Sequence, residues 1–421
     1  MKKKKKEKHQ LEAKSKRQLA SELHLNTTKK LLNHAVQHYK EEELKEAEYC
    51  YRQILKSFSA NADVYYNLGL ILQNQGKLDE AITFYQRTLT ISPNSADAHN
   101  NLGLIFGNQG KLDEAIASFQ HALAINPKLD GIHNNLGLAL QNKGKLEEAI
   151  ASFQRALAIN PNYADAYYNM GTTFQKQSNY DEAIVYFKKS IELNHNTFPV
   201  AEHMLAALTG ETTKGAPREY ISNLFDQYST RYDKEVIEKL KYKVPKLLRG
   251  MLDSLFKTNV RFRNVIDLGC GTGLSGMEFR IISDRLTGID LSNKMLEKTR
   301  IKKIYDVLQV ADIVEFLNGT DEKYNLFIAA GVLDYIGDLK FIFNSVKNCS
   351  LSGAYFVFST ENYNEKNYVL RQTGRYAYSR EYIQLLAKEH NFANEICKSV
   401  GILKEKREYL KGNLFVLKYI K

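Results

Sequence analysis

The stretch Asp267-Leu268-Gly269-Cys270-Gly271-Thr272-Gly273 follows an apolar run and precedes a segment with helical spacing. Its three glycines allow the backbone to approach a ligand without Cβ clashes. The helix that follows presents free N–H groups, which suit a carboxylate or a phosphate. The stretch therefore predicts a ligand-binding turn between a strand and a helix.

Short apolar runs separated by helical segments surround this turn, from Arg218 to Lys421. That alternation is typical of an α/β domain with a mostly parallel sheet. The predicted strands are Asn264–Leu268, Arg285–Ile289, Asp306–Val310, Leu326–Ala330, Ala354–Ser359 and Leu414–Tyr419.

An acidic residue, Asp290, ends the second predicted strand, 21 residues after Gly269, where it can accept hydrogen bonds from ribose hydroxyls. A nicotinamide site remains an alternative, because residues 271–276 form a literal G-x-G-x-x-G. A purely structural glycine turn is a further, weaker alternative. Asp267 favours a different ligand, since its carboxylate repels a pyrophosphate and attracts the ammonium of S-adenosylmethionine.

The motif around Asp267, together with Gly288-Ile289-Asp290-Leu291-Ser292, resembles the first two motifs of class I S-adenosylmethionine-dependent methyltransferases. The resemblance implies a Rossmann-like fold and methyl transfer from S-adenosylmethionine. It also implies that Asp267 and the turn from Gly269 to Gly273 hold the methionine part of the cofactor, with Cys270 and Gly271 inside that turn.

The same resemblance implies that Asp290 binds the ribose, with Leu291 and Met295 packing on the adenine. Asp312, in Ala311-Asp312-Ile313, then accepts a hydrogen bond from the adenine amine, and Ile313 and Ala330 complete the cofactor-binding set. Ordinary core packing is an equal alternative for Met295 and Ile313, because a cofactor face and a core face use the same residue types.

The segment from Ala329 to Tyr335 ends the fourth predicted strand, which in these enzymes lies beside the transferred methyl group. Asp334 and Tyr335 are therefore the candidate catalytic residues. The segment lacks the Asn-Pro-Pro-Tyr pattern of many amine-directed enzymes, which disfavours nucleic-acid and glutamine acceptors. Acidic residues show no metal-ligand spacing, so no metal is predicted. The acceptor is left open between a small metabolite and a protein.

An aromatic segment upstream, Glu219 to Leu248, contains Tyr228 and Tyr232. The whole run from Ala201 through this segment resembles bacterial proteins that join tetratricopeptide repeats to a methyltransferase, in which this helical segment covers the cofactor. Tyr228 or Tyr232 then closes the site. The alternative is that both anchor a domain interface.

A 34-residue repeat fills the first half of the chain. The tripeptide Asn67-Leu68-Gly69 returns at Asn101, at Asn135 and, with methionine in place of leucine, at Asn169. A small residue, an aromatic residue and a proline keep the same phase in the positions Ala81, Tyr85, Pro93; Ala115, Phe119, Pro127; Ala149, Phe153, Pro161. A fourth copy has His195 where the proline falls, and a degenerate first copy has Ala47, Tyr51 and Ser59.

Each repeat predicts a helical hairpin that must stack on its neighbours to bury its apolar face. The pattern resembles the tetratricopeptide family over residues 28–195, as five repeats. Asn67, Asn101, Asn135 and Asn169 form what we call the asparagine ladder, which resembles rows that bind peptides in other arrays. Simple capping or solvation by these amides is the alternative. The array is expected to bind a protein or peptide partner.

The domain prediction is thus a basic arm at 1–27, an all-α repeat solenoid at 28–195, an end helix and linker at 196–217, and an α/β methyltransferase domain at 218–421. Residues 1–17 carry +7 of the +11 net charge, which predicts a solvated arm and no specific nucleic-acid site. The four scattered cysteines, no secretory signal and no long apolar run predict a cytoplasmic protein without a membrane span.

Two other functions fit the sequence less well. A tetratricopeptide adaptor with a cofactor-binding but inactive methyltransferase domain is disfavoured, because Asp267, Asp290, Asp312 and the glycines are all present. A glycosyltransferase needs two nucleotide-binding-type domains, for which the remaining 200 or so residues are too few.

Overall fold

The computed structural model describes residues 28–57, 61–193, 199–229, 231–256, 260–405 and 408–421. The chain forms two compact units, one ending at Asn162 and one from Tyr163 to Lys421. The predicted boundary at 196–217 therefore falls inside the second unit, which also contains the last repeat. The basic arm, Ser59 and His195 lie outside the described residues.

The first unit consists of helices joined by short turns, as the repeat predicts. They are α1 (28–40), α2 (Leu44–Ser57), α3 (Ala62–Asn74), α4 (Leu78–Ile91), α5 (Ala96–Asn108), α6 (Leu112–Ile125), α7 (Asp130–Asn142) and α8 (Leu146–Ile159). Three full hairpins, α3 with α4, α5 with α6 and α7 with α8, each pair a 13-residue helix with a 14-residue one.

The repeated glycine and aromatic residue meet inside each hairpin. A Cβ added to Gly137 in α7 would lie 2.5 Å from Phe153 Cε1 in α8, and the same approach recurs between Gly103 and Phe119. The ring thus occupies the space that a larger side chain would need. This contact explains why the two positions recur together every 34 residues.

Asparagines of the ladder lie on the first helix of each hairpin. The Asn101 amide is buried and donates hydrogen bonds to the hydroxyls of Tyr66 and Tyr85, over 3.2 and 3.3 Å. Asn135 is half-buried and donates to Asn100 Oδ1 over 3.2 Å. These amides bond to residues of their own or the preceding hairpin, which is a structural role.

The second unit begins with the last repeat hairpin and continues into the α/β domain. Its helices are α9 (Ala164–Lys176), α10 (Tyr180–Leu193), α11 (Pro199–Thr209), α12 (Arg218–Tyr228), α13 (Tyr232–Lys234), α14 (Val244–Asp253), α15 (Leu274–Phe279), α16 (Asn293–Lys302), α17 (Ile313–Gly319), α18 (Lys340–Cys349) and α19 (Arg380–Glu389). A π-helical turn extends α13 over Glu235–Lys239, and 3₁₀ turns cover Arg280–Ile282 and Leu333–Tyr335.

The strands form one mostly parallel sheet. They are β1 (Phe262–Leu268), β2 (Ser283–Asp290), β3 (Val307–Val310), β4 (Tyr324–Ala329), β5 (Ser350–Asn362), β6 (Tyr368–Leu370), β7 (Tyr376–Tyr378), β8 (Phe392–Glu405) and β9 (Glu408–Tyr419). The parallel part runs in the order β3-β2-β1-β4-β5. β9 pairs antiparallel with β5 and with β8, and the β6–β7 hairpin continues from the end of β5.

The fold class and all six predicted strands are confirmed, but β6, β7 and β8 were not predicted. β8 carries charged residues such as Glu395, Lys398 and Lys404, so it lacks the apolar run of a buried strand. The order of the parallel strands reverses between β1 and β4, where ligands bind in open α/β sheets. No helix in the described ranges combines the length and the apolar character needed to cross a bilayer.

Candidate functional site

A cavity opens at the carboxyl ends of β1, β2 and β4. It is lined by the glycine turn, the ends of the three strands and the start of α17, and α12 and α13 cover it. Its walls comprise Ala216, Arg218, Ile221, Phe225, Tyr232, Gly269, Gly271, Asp290, Leu291, Met295, Ala311, Asp312, Ile313, Val314, Ala330, Gly331, Val332, Tyr335 and Ile336. Most of the predicted cofactor residues therefore meet at one place.

The glycine turn is shaped by backbone conformations that favour glycine. Gly271 has a φ of 52°, and a Cβ at this residue would meet no protein atom within 4 Å. The space beside Gly271 is thus open to a ligand. The neighbouring Cys270 is buried, and its N–H donates to the Ile289 carbonyl over 2.9 Å, which ties the turn to β2.

Asp290 lies at the end of β2 on the cavity wall. Oδ2 accepts from the Gly271 N–H and Oδ1 accepts from the Ser292 N–H, both over 2.8 Å. Burial raises the pKa of this carboxyl, and the two N–H donors oppose the rise. Each oxygen keeps further lone pairs, so a vicinal diol can donate to a carboxylate whose orientation is already fixed.

Asp267 does not line the cavity but lies buried beneath it at the end of β1. Oδ2 accepts from the Tyr305 hydroxyl over 2.6 Å, whereas Oδ1 has no partner among the described residues. Burial raises the pKa of Asp267 to about 7, and the Tyr305 hydrogen bond opposes that rise. A buried carboxylate with an unpaired oxygen suits a cationic ligand group nearby.

The predicted adenine end is apolar with one ion pair. Leu291, Met295 and Ile313 line the cavity. Asp312 caps α17, because its Oδ1 accepts from the N–H groups of Val314 and Glu315 over 3.0 Å each. Its Oδ2 lies 3.3 Å from Nε of Arg218, a cavity residue that the motifs did not reveal.

The two predicted catalytic residues, Asp334 and Tyr335, lie in different environments. Tyr335 lines the cavity, with its ring edge-on to Phe225 at 5.2 Å between centroids. Asp334 is not among the residues of the cavity wall, and its Oδ1 accepts from the Glu361 N–H over 2.8 Å. Burial and the nearby Glu361 raise the pKa of Asp334 to about 8.

The aromatic segment covers the cavity, as the resemblance implies, through Phe225 and Tyr232. Tyr228 is not in the wall and instead packs edge-on against Tyr232 at 5.3 Å. Asp226 accepts from the Ser292 hydroxyl, and Asp233 accepts from Lys302 Nζ over 2.7 Å. Two carboxylates thus fasten this cover to α16 and its cap.

Gly273 also lies outside the wall, and packing explains its identity. It has a φ of 88° at the start of α15, and a Cβ there would lie 3.3 Å from both Thr299 Cγ2 and Tyr305 Cε2. The predicted cofactor residues therefore divide into two groups. Gly269, Gly271, Asp290, Leu291, Met295, Asp312, Ile313 and Ala330 line the cavity, whereas Asp267, Cys270 and Gly273 support its floor.

Family models agree with this architecture. Tetratricopeptide-repeat models match residues 60–128, 118–151, 142–178 and 164–197, and a methyltransferase-domain model matches residues 261–411. The chain joins tetratricopeptide repeats to a class I methyltransferase domain. The cavity belongs to that methyltransferase domain.

Similar proteins include the malonyl-[acyl-carrier protein] O-methyltransferase of Hamiltonella defensa, 33% identical over 96 residues, which are 23% of this chain and 37% of that protein. The ubiquinone biosynthesis O-methyltransferase of Hydrogenovibrio crunogenus is 24% identical over 119 residues, 27% of this chain and 48% of that protein. The chain spans about half or less of these relatives. A crystal structure of MamA protein is 25% identical, with a TM-score of 0.38, and covers 40% of this chain and 92% of that one.

Proposed function

We propose that this protein transfers a methyl group from S-adenosylmethionine to an oxygen of its acceptor. The observation that carries the proposal is the pair of aspartates around the glycine turn. Asp290 presents a fixed carboxylate to the cavity, and Asp267 keeps an unpaired oxygen beneath it. A ribose diol suits the first group and an ammonium suits the second.

The bound cofactor supplies an electrophilic methyl group on a sulfonium. The chain's own residues then position the two reactants, which is the main requirement of an in-line displacement. The backbone of Gly269 and Gly271 leaves room for the methionine part, and Leu291 and Met295 flank the adenine. Phe225, Tyr232 and Tyr335 exclude water from the cavity wall.

Oxygen as the target is supported by the two curated relatives described above, which are O-methyltransferases by name. Besides Asp290 and Asp312, the described residues of the cavity wall include no carboxylate or histidine that could act as a base. These two carboxylates belong to the ribose and adenine positions. An acceptor that is already anionic at neutral pH needs no such base.

The repeat array is proposed to bind a protein partner or substrate. Asn67 and Asn135 of the ladder are half-buried, so their polar edges stay within reach of a peptide. Asn101, in contrast, is buried as well as hydrogen-bonded inside the array. The contribution of the ladder to peptide binding is therefore expected to come from Asn67 and Asn135 in the first unit.

Calorimetric titration with S-adenosylmethionine tests the cofactor, with NADH as the competing ligand. We expect micromolar binding of S-adenosylmethionine, a loss of at least a hundredfold in Asp290→Ala, and no binding of NADH. Asp284→Ala is the matched control, because Asp284 is an exposed residue of the same strand that pairs with Arg261. Binding of NADH alone would overturn the proposal.

A methyl-transfer assay with labelled S-adenosylmethionine distinguishes an enzyme from an inactive adaptor. Both bind the cofactor, but only an enzyme releases S-adenosylhomocysteine at a rate that depends on an acceptor. If S-adenosylmethionine binds and no carboxylic or phenolic acceptor raises that rate, the adaptor becomes the better description.

A further inference from the structure

A guanidinium group reaches the cavity at the predicted adenine end. Arg218 is the first residue of α12, and it lines the cavity together with Asp312. Nε of Arg218 lies 3.3 Å from Asp312 Oδ2, and Nη1 of Arg218 donates to Glu315 Oε1 over 2.7 Å. The guanidinium group therefore bridges two carboxylates at the start of α17.

The backbone just before Arg218 is fixed against the loop that follows β4. The Lys214 carbonyl accepts from the Asp338 N–H over 2.9 Å. Two residues further on, the Ala216 N–H donates to the Tyr335 carbonyl over 3.4 Å. Both Ala216 and Tyr335 belong to the cavity wall. Because of these bonds, α12 begins at a defined place beside the cavity, from which the Arg218 side chain reaches α17.

The two oxygens of the Asp312 carboxylate have different partners. Oδ1 accepts from the N–H groups of Val314 and Glu315, over 3.0 Å each, and so caps α17. Among the described residues, Oδ2 has the ion-pair contact with Arg218 and no hydrogen bond. A carboxylate oxygen has two lone pairs. Oδ2 is therefore the oxygen that can accept a hydrogen bond from a ligand in the cavity.

Stability alone does not account for this contact. The side chain of Arg218 is 55% exposed, and ion pairs of exposed side chains contribute little to the stability of a fold. The side chain of Asp312 is 20% exposed and lies on the cavity wall. An ion pair at this place is expected to matter more for a bound ligand than for folding.

We propose that Arg218 positions the Asp312 carboxylate for the amine of the cofactor's adenine, and so contributes to the recognition of the base. The carboxylate is held at Oδ1 by α17 and at Oδ2 by the guanidinium group, so it presents its open lone pair in one direction. A group that is oriented before the ligand binds loses less conformational entropy on binding. Arg218 acts through Asp312 and is therefore a positioning residue. This inference rests on the proposed function and assigns a determinant of base specificity to it.

Calorimetry with two ligands tests the inference. One ligand is S-adenosylhomocysteine, and the other is its analogue in which hydrogen replaces the purine amine. We expect the wild-type protein to bind S-adenosylhomocysteine about tenfold more tightly than the analogue, as for one hydrogen bond to a charged group. In Arg218→Gln, the affinity for S-adenosylhomocysteine falls about tenfold, whereas the affinity for the analogue stays at the wild-type value. Arg218→Lys keeps the positive charge and recovers part of this loss.

Arg261→Gln is the matched control. Nε of Arg261 forms an exposed ion pair with Asp284, and neither residue lies on the cavity wall. This variant is expected to bind both ligands with wild-type affinity. An equal loss of affinity for both ligands in Arg218→Gln would mean that the arginine only holds α12 in place, and would overturn the inference.

Two further results would also overturn it. One is an unchanged affinity of Arg218→Gln for S-adenosylhomocysteine, and the other is equal affinity of the wild-type protein for the two ligands. The wild-type titration distinguishes this inference from the proposed function. If S-adenosylhomocysteine does not bind, the proposed function fails and the inference fails with it. If S-adenosylhomocysteine binds and Arg218→Gln has no ligand-dependent effect, only the role of Arg218 fails.

Discussion

The glycines of the repeats and those of the glycine turn have opposite structural roles. In the hairpin of α7 and α8, the space beside Gly137 is filled by Phe153, whose Cε1 lies 2.5 Å from a hypothetical Cβ. Beside Gly271, no protein atom lies within 4 Å of such a Cβ. The first glycine allows two helices to pack closely, and the second leaves room for something that is not protein.

Buried polar groups show the same difference. The Asn101 amide finds two tyrosine hydroxyls within the array, whereas Asp267 keeps one oxygen without a partner among the described residues. The repeats satisfy these groups internally. The floor of the cavity leaves one oxygen of Asp267 without a protein partner, at some cost to the stability of the protein. Measuring both the free energy of unfolding and the ligand affinity of a variant therefore distinguishes residues that pack the fold from residues that bind the ligand.

The largest effect is expected for Gly137→Ala. The new methyl group cannot fit beside Phe153, and overpacking of this kind destabilises a fold by about 1–3 kcal/mol. Urea unfolding followed by circular dichroism measures it. Gly131→Ala in the same helix is the control, because no atom lies within 4 Å of its added Cβ and alanine is the better helix former. Equal stability of the two variants would contradict the packing role.

Gly271→Ala is expected to act on the ligand. The methyl group projects into the open space of the turn, so S-adenosylmethionine affinity falls at least tenfold, or about 1.4 kcal/mol. The left-handed backbone adds a stability cost of about 1–2 kcal/mol. Gly353→Ala carries the same backbone cost, with a φ of 74° and its nearest contact at 3.9 Å, outside the cavity wall. Calorimetry should find that Gly353→Ala binds S-adenosylmethionine with wild-type affinity. An equal loss of affinity in Gly353→Ala would mean that backbone strain, and not the filled space, explains the loss in Gly271→Ala.

Asn101→Ala is expected to destabilise the array by about 1 kcal/mol, because it removes the hydrogen-bond donor of two tyrosine hydroxyls. Its cofactor affinity stays at the wild-type value. Asn108→Ala in the same helix is the control, since Asn108 makes no side-chain hydrogen bond to the described residues. Urea unfolding of the two variants provides the measurement, and an unchanged midpoint for Asn101→Ala would show that the ladder is not structural.

The smallest effect is a pH dependence from Asp267. Its folded pKa of about 7 lies above the ordinary value of 3.8, so the empty protein loses stability as the pH rises from about 4 to 7. The ionised form attracts an ammonium group, so S-adenosylmethionine affinity should rise several-fold between pH 6 and 7.5. Asp267→Asn should abolish both slopes. If the affinity of the wild-type protein does not change over this pH range, Asp267 does not interact with the ammonium group of the ligand.

The sequence predicted the repeats and the glycine turn because both depend on residues close together in the chain. Gly137 and Phe153 are 16 positions apart, and Gly271 and Asp290 are 19 apart. Arg218 was missed, since it reaches the cavity from α12, outside the motifs. Of the two predicted catalytic residues, which share a 3₁₀ turn, only Tyr335 lines the cavity, because neighbouring residues in such a turn point in different directions.

The hydrogen bonds from Gln175 and His203 to the turn between β6 and β7 have a consequence for how this protein can be divided. A fragment that starts at residue 218 would lose both donors and leave the carbonyls of Gln372 and Gly374 without these partners. The last repeat hairpin is therefore also a structural part of the methyltransferase unit. A modular exchange of the repeat array, in the laboratory or in evolution, would keep that hairpin and join the new repeats before Tyr163.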